Sequence, residues 1–249
     1  MTRFTGMCFP RPLLALALMT VPLPLLAQPA CTKPDSGALF KVYAAKEHPG
    51  KYSDDPKEKE RMDASDIAAY AETIDDFDLK SPHLQSDTPL VQWIALDFGS
   101  TSDGGLLAAD CKGGYIDLLR IGPVEELKPG PTLPKLGRTV MVDTDVVPGS
   151  GAGFKETHIV AVVAGRIKEL WSHVTDDSSF PPPSLSPDGG KEEVDEIDVS
   201  ADGLTIEVTG TISTYPDSDP DQKPSKVAPV HEKYCWDTAS STYKACEPK

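Results

Sequence analysis

Two cysteines near the end of the chain, Cys235 and Cys246, constrain the fold more than any other feature. Zinc sites need paired short Cys or His spacings and redox sites need Cys-x-x-Cys, and this stretch has neither. Placing Cys235 opposite Cys246 in an antiparallel hairpin, with Asp237 opposite Lys244 and a turn at 240–241, gathers the large side chains on one face, because side chains alternate along a strand. We therefore predict a hairpin closed by a disulfide that contributes ~2–3 kcal/mol. The apolar face holds Tyr234, Trp236, Tyr243 and Ala245.

The first 27 residues have the pattern of an export signal. Arg3 and Arg11 provide a basic start, residues 13–26 form an apolar run, and cleavage is expected after Ala27. The expected location is the bacterial periplasm or the medium outside the cell. A lipid anchor on Cys31 is the weaker alternative, because the residues before it match the lipoprotein signal poorly.

Four cysteines follow the signal, and an even number in an exported protein predicts two disulfides. Four cysteines allow three pairings. We favour Cys235–Cys246 together with Cys31–Cys111, because Cys111 follows a predicted strand at a turn where it can hold the N-terminal segment.

Charge excludes several classes of partner. The leader carries two basic and no acidic residues, so its removal changes the net charge from −15 to −17. Like charges repel, which argues against nucleic acid and anionic membranes as partners. Beyond the leader, no apolar run approaches the ~20 residues of a membrane-spanning helix. Residues 28–249 suit a single domain, with the proline-rich stretch 124–137 as the best candidate for an internal boundary, near residue 130.

Apolar and alternating stretches predict a mainly β fold. Residues 90–98, 106–110 and 115–121 form a predicted meander, and the alternation over 197–199 and 204–208 predicts a hairpin around Ser200–Gly203. Helical spacing of apolar residues predicts one helix that begins at Asp63 or Ser65 and ends near Ile74. Short connections favour antiparallel pairing, so we predict a sandwich or a partly closed twisted sheet of about nine strands. Further strands are expected at 138–147 and 157–164. Residues 165–174 suit a helix or a strand, and we favour the strand because its neighbours need a partner. Residues 38–45 suit a strand or a short helix, and 175–193 and 215–229 suit irregular loops.

The best metal candidate is the acidic stretch that contains Asp217, Asp219 and Asp221. Alternating carboxylates suit a hard cation such as Ca²⁺, but an EF-hand loop requires Gly and Glu where Gln222 and Ala228 stand. We therefore favour a solvated acidic loop, and no other cofactor is indicated. The five histidines are scattered, so no catalytic residue is assigned.

The densest acidic cluster on a predicted regular element is the strand over 191–198, where we predict a contact with a basic patch on a partner protein. The residues are Glu192, Glu193, Glu196 and Asp198.

The absence of a catalytic signature favours an exported non-enzymatic protein that binds another protein, as an inhibitor or an envelope accessory. Two alternatives stay open: a hydrolase whose carboxylate or histidine site is assembled in three dimensions, and a cation-dependent glycan-binding module. A pocket with a His–Asp pair or two convergent carboxylates would favour the hydrolase, and acids gathered on one side would favour the binding protein.

Overall fold

Twelve antiparallel strands and one short helix form the part of the chain that a computed structural model describes, namely residues 31–47, 83–87, 90–100, 103–147, 153–179, 190–216, 221 and 223–247. The prediction of a mainly β protein is confirmed. The predicted helix that ends near Ile74 and the export signal lie outside the described residues.

The first sheet has four strands in the order β1-β2-β3-β4 and is preceded by the helix. Its elements are α1 (Ser36–Glu47), β1 (His83–Asp87), β2 (Leu90–Ser100), β3 (Asp103–Asp110) and β4 (Tyr115–Leu119).

The second sheet has eight strands, each paired with its neighbours in sequence. They are β5 (Val124–Leu133), β6 (Gly137–Val146), β7 (Gly153–Val163), β8 (Arg166–Ser179), β9 (Lys191–Val199), β10 (Thr205–Thr214), β11 (Lys226–Asp237) and β12 (Thr242–Ala245).

One face of the first sheet is covered by α1. The Asp35 carboxylate caps the helix by accepting a hydrogen bond from the amide of Ala38 at 2.8 Å. Leu39 and Phe40 then pack on the sheet, so this segment is the short helix of the two predicted alternatives. The disulfide Cys31–Cys111, with a Cα–Cα distance of 4.6 Å, ties the segment before the helix to the end of β3.

The other face of the first sheet packs against the second sheet. Trp93 and Leu106 contact a layer formed by β6 and β7, which includes Val142 and Val160. The carboxylate of Asp117 on β4 strengthens the contact by accepting a hydrogen bond from the Ile167 amide at 2.8 Å. Both faces of β2 and β3 are therefore buried, which explains their nearly continuous apolar sequences.

The eight-stranded sheet consists of two halves, β5–β8 and β9–β12. They are joined by backbone pairing over only four residue pairs, between 176–179 and 191–194. Beyond this seam the halves separate and fold over a shared core that includes Ile159, Trp171 and Val208. The two halves also meet away from the seam, because Lys168 Nζ on β8 donates to the carbonyls of Ser240 and Ser241, in the turn between β11 and β12, at 2.7 and 2.9 Å. The result is a sheet that is coiled and partly closed.

The C-terminal hairpin has the predicted faces and disulfide but not the predicted register. Trp236 pairs with Tyr243, a shift of two residues that leaves every side chain on its predicted face. The cause is Asp237, whose side chain accepts a hydrogen bond from the Ala239 amide at 2.9 Å and whose carbonyl accepts one from Ser241 at 2.8 Å. This arrangement makes a four-residue turn at 238–241. Cys235 consequently bonds diagonally to Cys246, at a Cα–Cα distance of 5.1 Å.

Three stretches predicted as irregular contain strands. Residues 124–133 form β5, which tolerates Pro129 and Pro131 because it is an edge strand and does not need every amide. Residues 175–179 continue β8, and residues 226–229 begin β11. The chain passes between the sheets at 120–123, and the domain boundary near 130 stays a prediction. The preference for a strand over 165–174 is confirmed by β8, whereas β1 was not predicted.

Candidate functional site

The inner face of the coiled sheet holds a polar cleft of ≈ 340 Å³ between β5 and β9. It lies beyond the apolar core that the two halves share, where the inward side chains change from apolar to charged. Met141 and Ile197 contribute apolar wall. The polar lining includes Lys128, Asp143, Lys155, Thr157, Thr175 and Asp195.

Two lysines of the cleft are held by carboxylates on neighbouring strands. Lys128 Nζ lies 2.7 Å from Asp143 Oδ2, and this hydrogen bond is the main reason that the pKa of Lys128 is raised. The other Asp143 oxygen accepts from Thr157 at 2.7 Å. Lys155 Nζ reaches Glu125 at 2.9 Å, which likewise raises its pKa. Both oxygens of Asp143 are therefore occupied.

A smaller depression of ≈ 180 Å³ adjoins the cleft and shares Lys155 with it. Its lining includes Phe154 and two further carboxylates, Asp145 and Asp176. In the strand register Lys155 pairs with Asp145 on one side and Asp176 on the other. Because Lys155 Nζ extends to Glu125, neither aspartate lies within ion-pair distance of a cation among the described residues.

A histidine–aspartate pair spans the seam where β8 and β9 separate. His173 Nε2 lies 2.7 Å from Asp195 Oδ2, and the imidazole stacks on Trp171 with ring centroids 5.8 Å apart and an interplanar angle of 8°. The side-chain contact thus replaces the backbone pairing that stops at Asp176 and Val194.

The Asp195 carboxylate occupies a space that β10 leaves for it. Its side chain is 0% exposed, and Oδ1 has no hydrogen-bond partner within the described part of the chain. The residue opposite it is Gly210, where an added Cβ would lie 2.0 Å from this oxygen. Glycine is therefore needed here for space, although glycine inside a strand weakens it. A buried acceptor without a donor carries a desolvation cost of about 1–3 kcal/mol.

A second histidine pair lies on the opposite face of the first half. His158 is buried, and its Nδ1 lies 2.9 Å from Glu169 Oε2. This hydrogen bond is the main cause of the lowered pKa of Glu169. The pair lies beside the contact with the first sheet and away from the cleft. We therefore assign it a role in packing and not in the candidate site.

Three of the four acids predicted to bind a partner, Glu192, Glu196 and Asp198, lie on one side of β9, and Glu193 lies on the other. Glu196 and Asp198 are exposed on the outer face of β9. Glu192 accepts a hydrogen bond from the Tyr215 hydroxyl at 2.8 Å, and Glu193 points to the inner side of the strand, where it pairs with Lys191 at 2.5 Å. Alternation along the strand explains the division.

The outer face has one acid that the prediction omitted, Glu207 on β10, which lies directly opposite Asp198. His231 Nε2 contacts Glu207 at 2.8 Å, and this hydrogen bond is the main cause of its lowered pKa. We call the exposed surface of β9–β11 the outer face; it comprises Val194, Glu196, Asp198, Glu207, Thr209, Thr211, His231 and Lys233.

Of the predicted metal residues, Asp217 and Asp219 lie outside the described residues, and Asp221 is exposed. Among the residues that the structure does describe, no group of three His, Cys, Asp or Glu side chains is placed to hold a metal ion. The described chain likewise has no helix with the length and apolar character needed to cross a membrane.

Comparisons with protein-family models, with curated proteins and with solved structures gave no match.

Proposed function

We propose that the chain is an exported, non-enzymatic protein that binds a basic partner protein through its outer face. The observation that carries the proposal is the position of Asp198 directly opposite Glu207, with Glu196 two residues along the same strand. Like charges in directly opposed positions destabilise a sheet. Lys233, opposite Glu207 on its other side, and the His231 contact offset part of this charge, and a partner with a basic patch would neutralise the rest, at Glu196 and Asp198.

The outer face also has the shape and accessibility that a protein contact requires. The corresponding face of the first half is covered by the first sheet, whereas the outer face is open. It holds Val194, which is 52% exposed, and at its margin Val227, which is 57% exposed. Apolar side chains with charged neighbours resemble the mixed surface of a non-obligate interface.

The proposed compartment is the periplasm or the medium outside the cell. The two disulfides are compatible with an oxidising environment. The net charge, −15 for the full chain and −17 without the two arginines of the leader, would then steer a basic partner towards the protein at low ionic strength.

The test is an affinity capture from the envelope of the producing cell, followed by association kinetics with the captured protein. We expect Glu196→Gln/Asp198→Asn to lower the association rate and to flatten its dependence on salt between 0.01 and 0.15 M, where the Debye length falls from ~30 to ~8 Å. The matched control is Glu232→Gln/Glu247→Gln, which removes two exposed charges elsewhere. An association rate that responds equally to both variants would contradict the proposed surface.

A hydrolase is the second candidate, and the His173–Asp195 pair favours it. A buried carboxylate can orient an imidazole so that its other nitrogen serves as a base. Turnover of ester or peptide substrates by the purified protein, lost in His173→Gln with the fold retained, would support this candidate over the binding protein. Under our first proposal no such turnover occurs.

A further inference from the structure

We propose that the inner cleft, together with the adjoining depression at Phe154, binds a small organic cation that carries ammonium groups. This site is separate from the outer face, because Asp195 on the inner side of β9 alternates with Glu196 and Asp198 on the outer side. The inference therefore does not rest on the proposed function.

The first argument is charge. The two depressions are lined by five carboxylates and two lysines, a formal excess of three negative charges. Both lysines already donate to carboxylates, so a bound anion would have to displace an ion pair. An anionic ligand is disfavoured on this ground. The five acids are Glu125, Asp143, Asp145, Asp176 and Asp195.

The second argument concerns unused acceptors. Asp145 and Asp176 flank the shared Lys155 without an ion-pair partner among the described residues, as given above. Asp195 also lines the cleft, but its unpartnered oxygen is buried against Gly210, so the accessible acceptors are those of Asp145 and Asp176. An ionised carboxylate only accepts, so the missing group must be a donor. An ammonium group, with three N–H bonds and a positive charge, satisfies both requirements.

The third argument separates an organic cation from a metal ion. Met141 and Ile197 line the larger depression, and Phe154 lines the smaller one. These side chains suit an alkyl chain, and the face of an aromatic ring also attracts an ammonium group. A metal ion would gain nothing from them, since hard cations require several oxygen ligands at close range. The volume of ≈ 340 Å³ is at the lower end of the range for small-ligand pockets.

The test is isothermal titration calorimetry of the full exported chain, with both disulfides intact, in low-salt buffer. The probes are putrescine, agmatine and choline, and the controls are 1,4-butanediol, which matches putrescine without its charges, and succinate. We expect at least one of the three cations to bind saturably at a single site, with the diol and succinate at least tenfold weaker.

The decisive variant is Asp145→Asn/Asp176→Asn, which removes two half-buried charges without touching the His173 contact. We expect at least a tenfold loss of cation affinity, against less than a twofold change in Glu232→Gln/Glu247→Gln. A melting curve and a circular dichroism spectrum that match the parent show that the variant is folded. Asp195→Asn is a secondary test, because a change at a fully buried carboxylate can affect folding.

Three outcomes would overturn the proposal. The first is the absence of saturable binding by all three cations below ~10 mM, and the second is equal binding of the neutral diol. The third is an equal loss in the cleft and control variants, which would mean that the net charge of the protein attracts the cations without a site.

Discussion

The two halves of the eight-stranded sheet differ in how many of their faces are covered. In the first half, β5–β8, the inner face packs on the shared core and the outer face packs on the first sheet. In the second half, β9–β12, the described residues cover only the inner face. One sheet thus combines a scaffold that is buried on both sides with a surface that is free to bind.

The histidine pairs illustrate the same difference. His158 and Glu169 meet beside the contact with the first sheet, where the imidazole is buried. His231 and Glu207 make a similar contact in the open, on the outer face. His173 and Asp195 lie between the halves, at the seam. A histidine–carboxylate contact is therefore buried between packed sheets in the first half and accessible to solvent in the second.

The largest expected effect tests whether both faces of the first half carry stability. Ile159 and Val160 are adjacent on β7 and point into different cores. We expect Ile159→Ala to reduce the free energy of unfolding by about 2–5 kcal/mol and Val160→Ala by about 2 kcal/mol, because each leaves a cavity. On β10, Val208→Ala should cost about as much as Val160→Ala, and exposed Thr209→Ala less than about 0.5 kcal/mol. Urea denaturation measures the free energy of unfolding of all four variants. If Val160→Ala costs no more than Thr209→Ala, the outer face of the first half does not contribute to stability as proposed.

The next effect concerns the seam between the halves. Gly210→Ala should reduce the free energy of unfolding by about 3 kcal/mol, because its Cβ would lie 2.0 Å from the Asp195 carboxylate and 2.3 Å from the Val194 carbonyl. The control is Gly165→Ala in the β7–β8 turn, where φ is +76° and the space is open, so only backbone strain of about 1 kcal/mol is expected. Similar costs at both glycines would show that Asp195 does not need the space.

A smaller, pH-dependent effect separates the covered histidine pair from the exposed one. The pKa of Glu169 is lowered in the folded state by the His158 contact, so its stabilising contribution is complete above the unfolded pKa near 4.5 and is lost as the pH falls through the folded pKa. We expect Glu169→Gln to cost about 0.5 kcal/mol at pH 7, a value discounted because the carboxylate is partly exposed. The cost should shrink as the pH falls below about 4.5 and disappear once the pH is below the folded pKa, as measured by urea denaturation across that range.

Glu207→Gln is the comparison for the same series. Its carboxylate also has a lowered pKa, again chiefly through a histidine, but that histidine is 65% exposed instead of buried. We expect the difference in free energy of unfolding between Glu207→Gln and the parent not to change measurably with pH. A larger change with pH for Glu207→Gln than for Glu169→Gln would contradict the contrast between the halves.

The fold was largely predictable because burial leaves a pattern in the sequence. The apolar run over 157–163 indicates a strand covered on both sides, and the alternation over 197–208 indicates one covered on a single side. β5 was missed because its prolines suggest a connector, and only its position at a sheet edge makes them acceptable. The hairpin register was missed because the side chain of Asp237 selects a four-residue turn.

The candidate site was much less predictable. His173 and Asp195 are 22 residues apart, and with 39 acids in the chain the sequence does not indicate which one a histidine meets. The seam that brings them together depends on where backbone pairing stops. One local signal was present: Gly210 interrupts a regular strand, and such a glycine often marks a close approach by another group. Its register partner then identifies Asp195.

The smallest expected effect separates the stability of the outer face from its proposed role. Asp198→Thr removes one of two opposed acids from an exposed strand and introduces a residue that favours strands. We expect the melting temperature at low salt to rise by about 1–2 °C and the gain to disappear at 1 M salt, where charges are screened. Capture of the basic partner should weaken in the same variant.

Because function and stability would then change in opposite directions, damage to the fold cannot explain the lost binding. The matched change in the first half is Asp143→Thr, where the acid holds Lys128 and Thr157 and the melting temperature should fall. If Asp198→Thr instead lowers the melting temperature, Asp198 makes stabilising contacts on the outer face. The opposed pair would then be a structural feature, and the electrostatic argument for a basic partner would lose its main support.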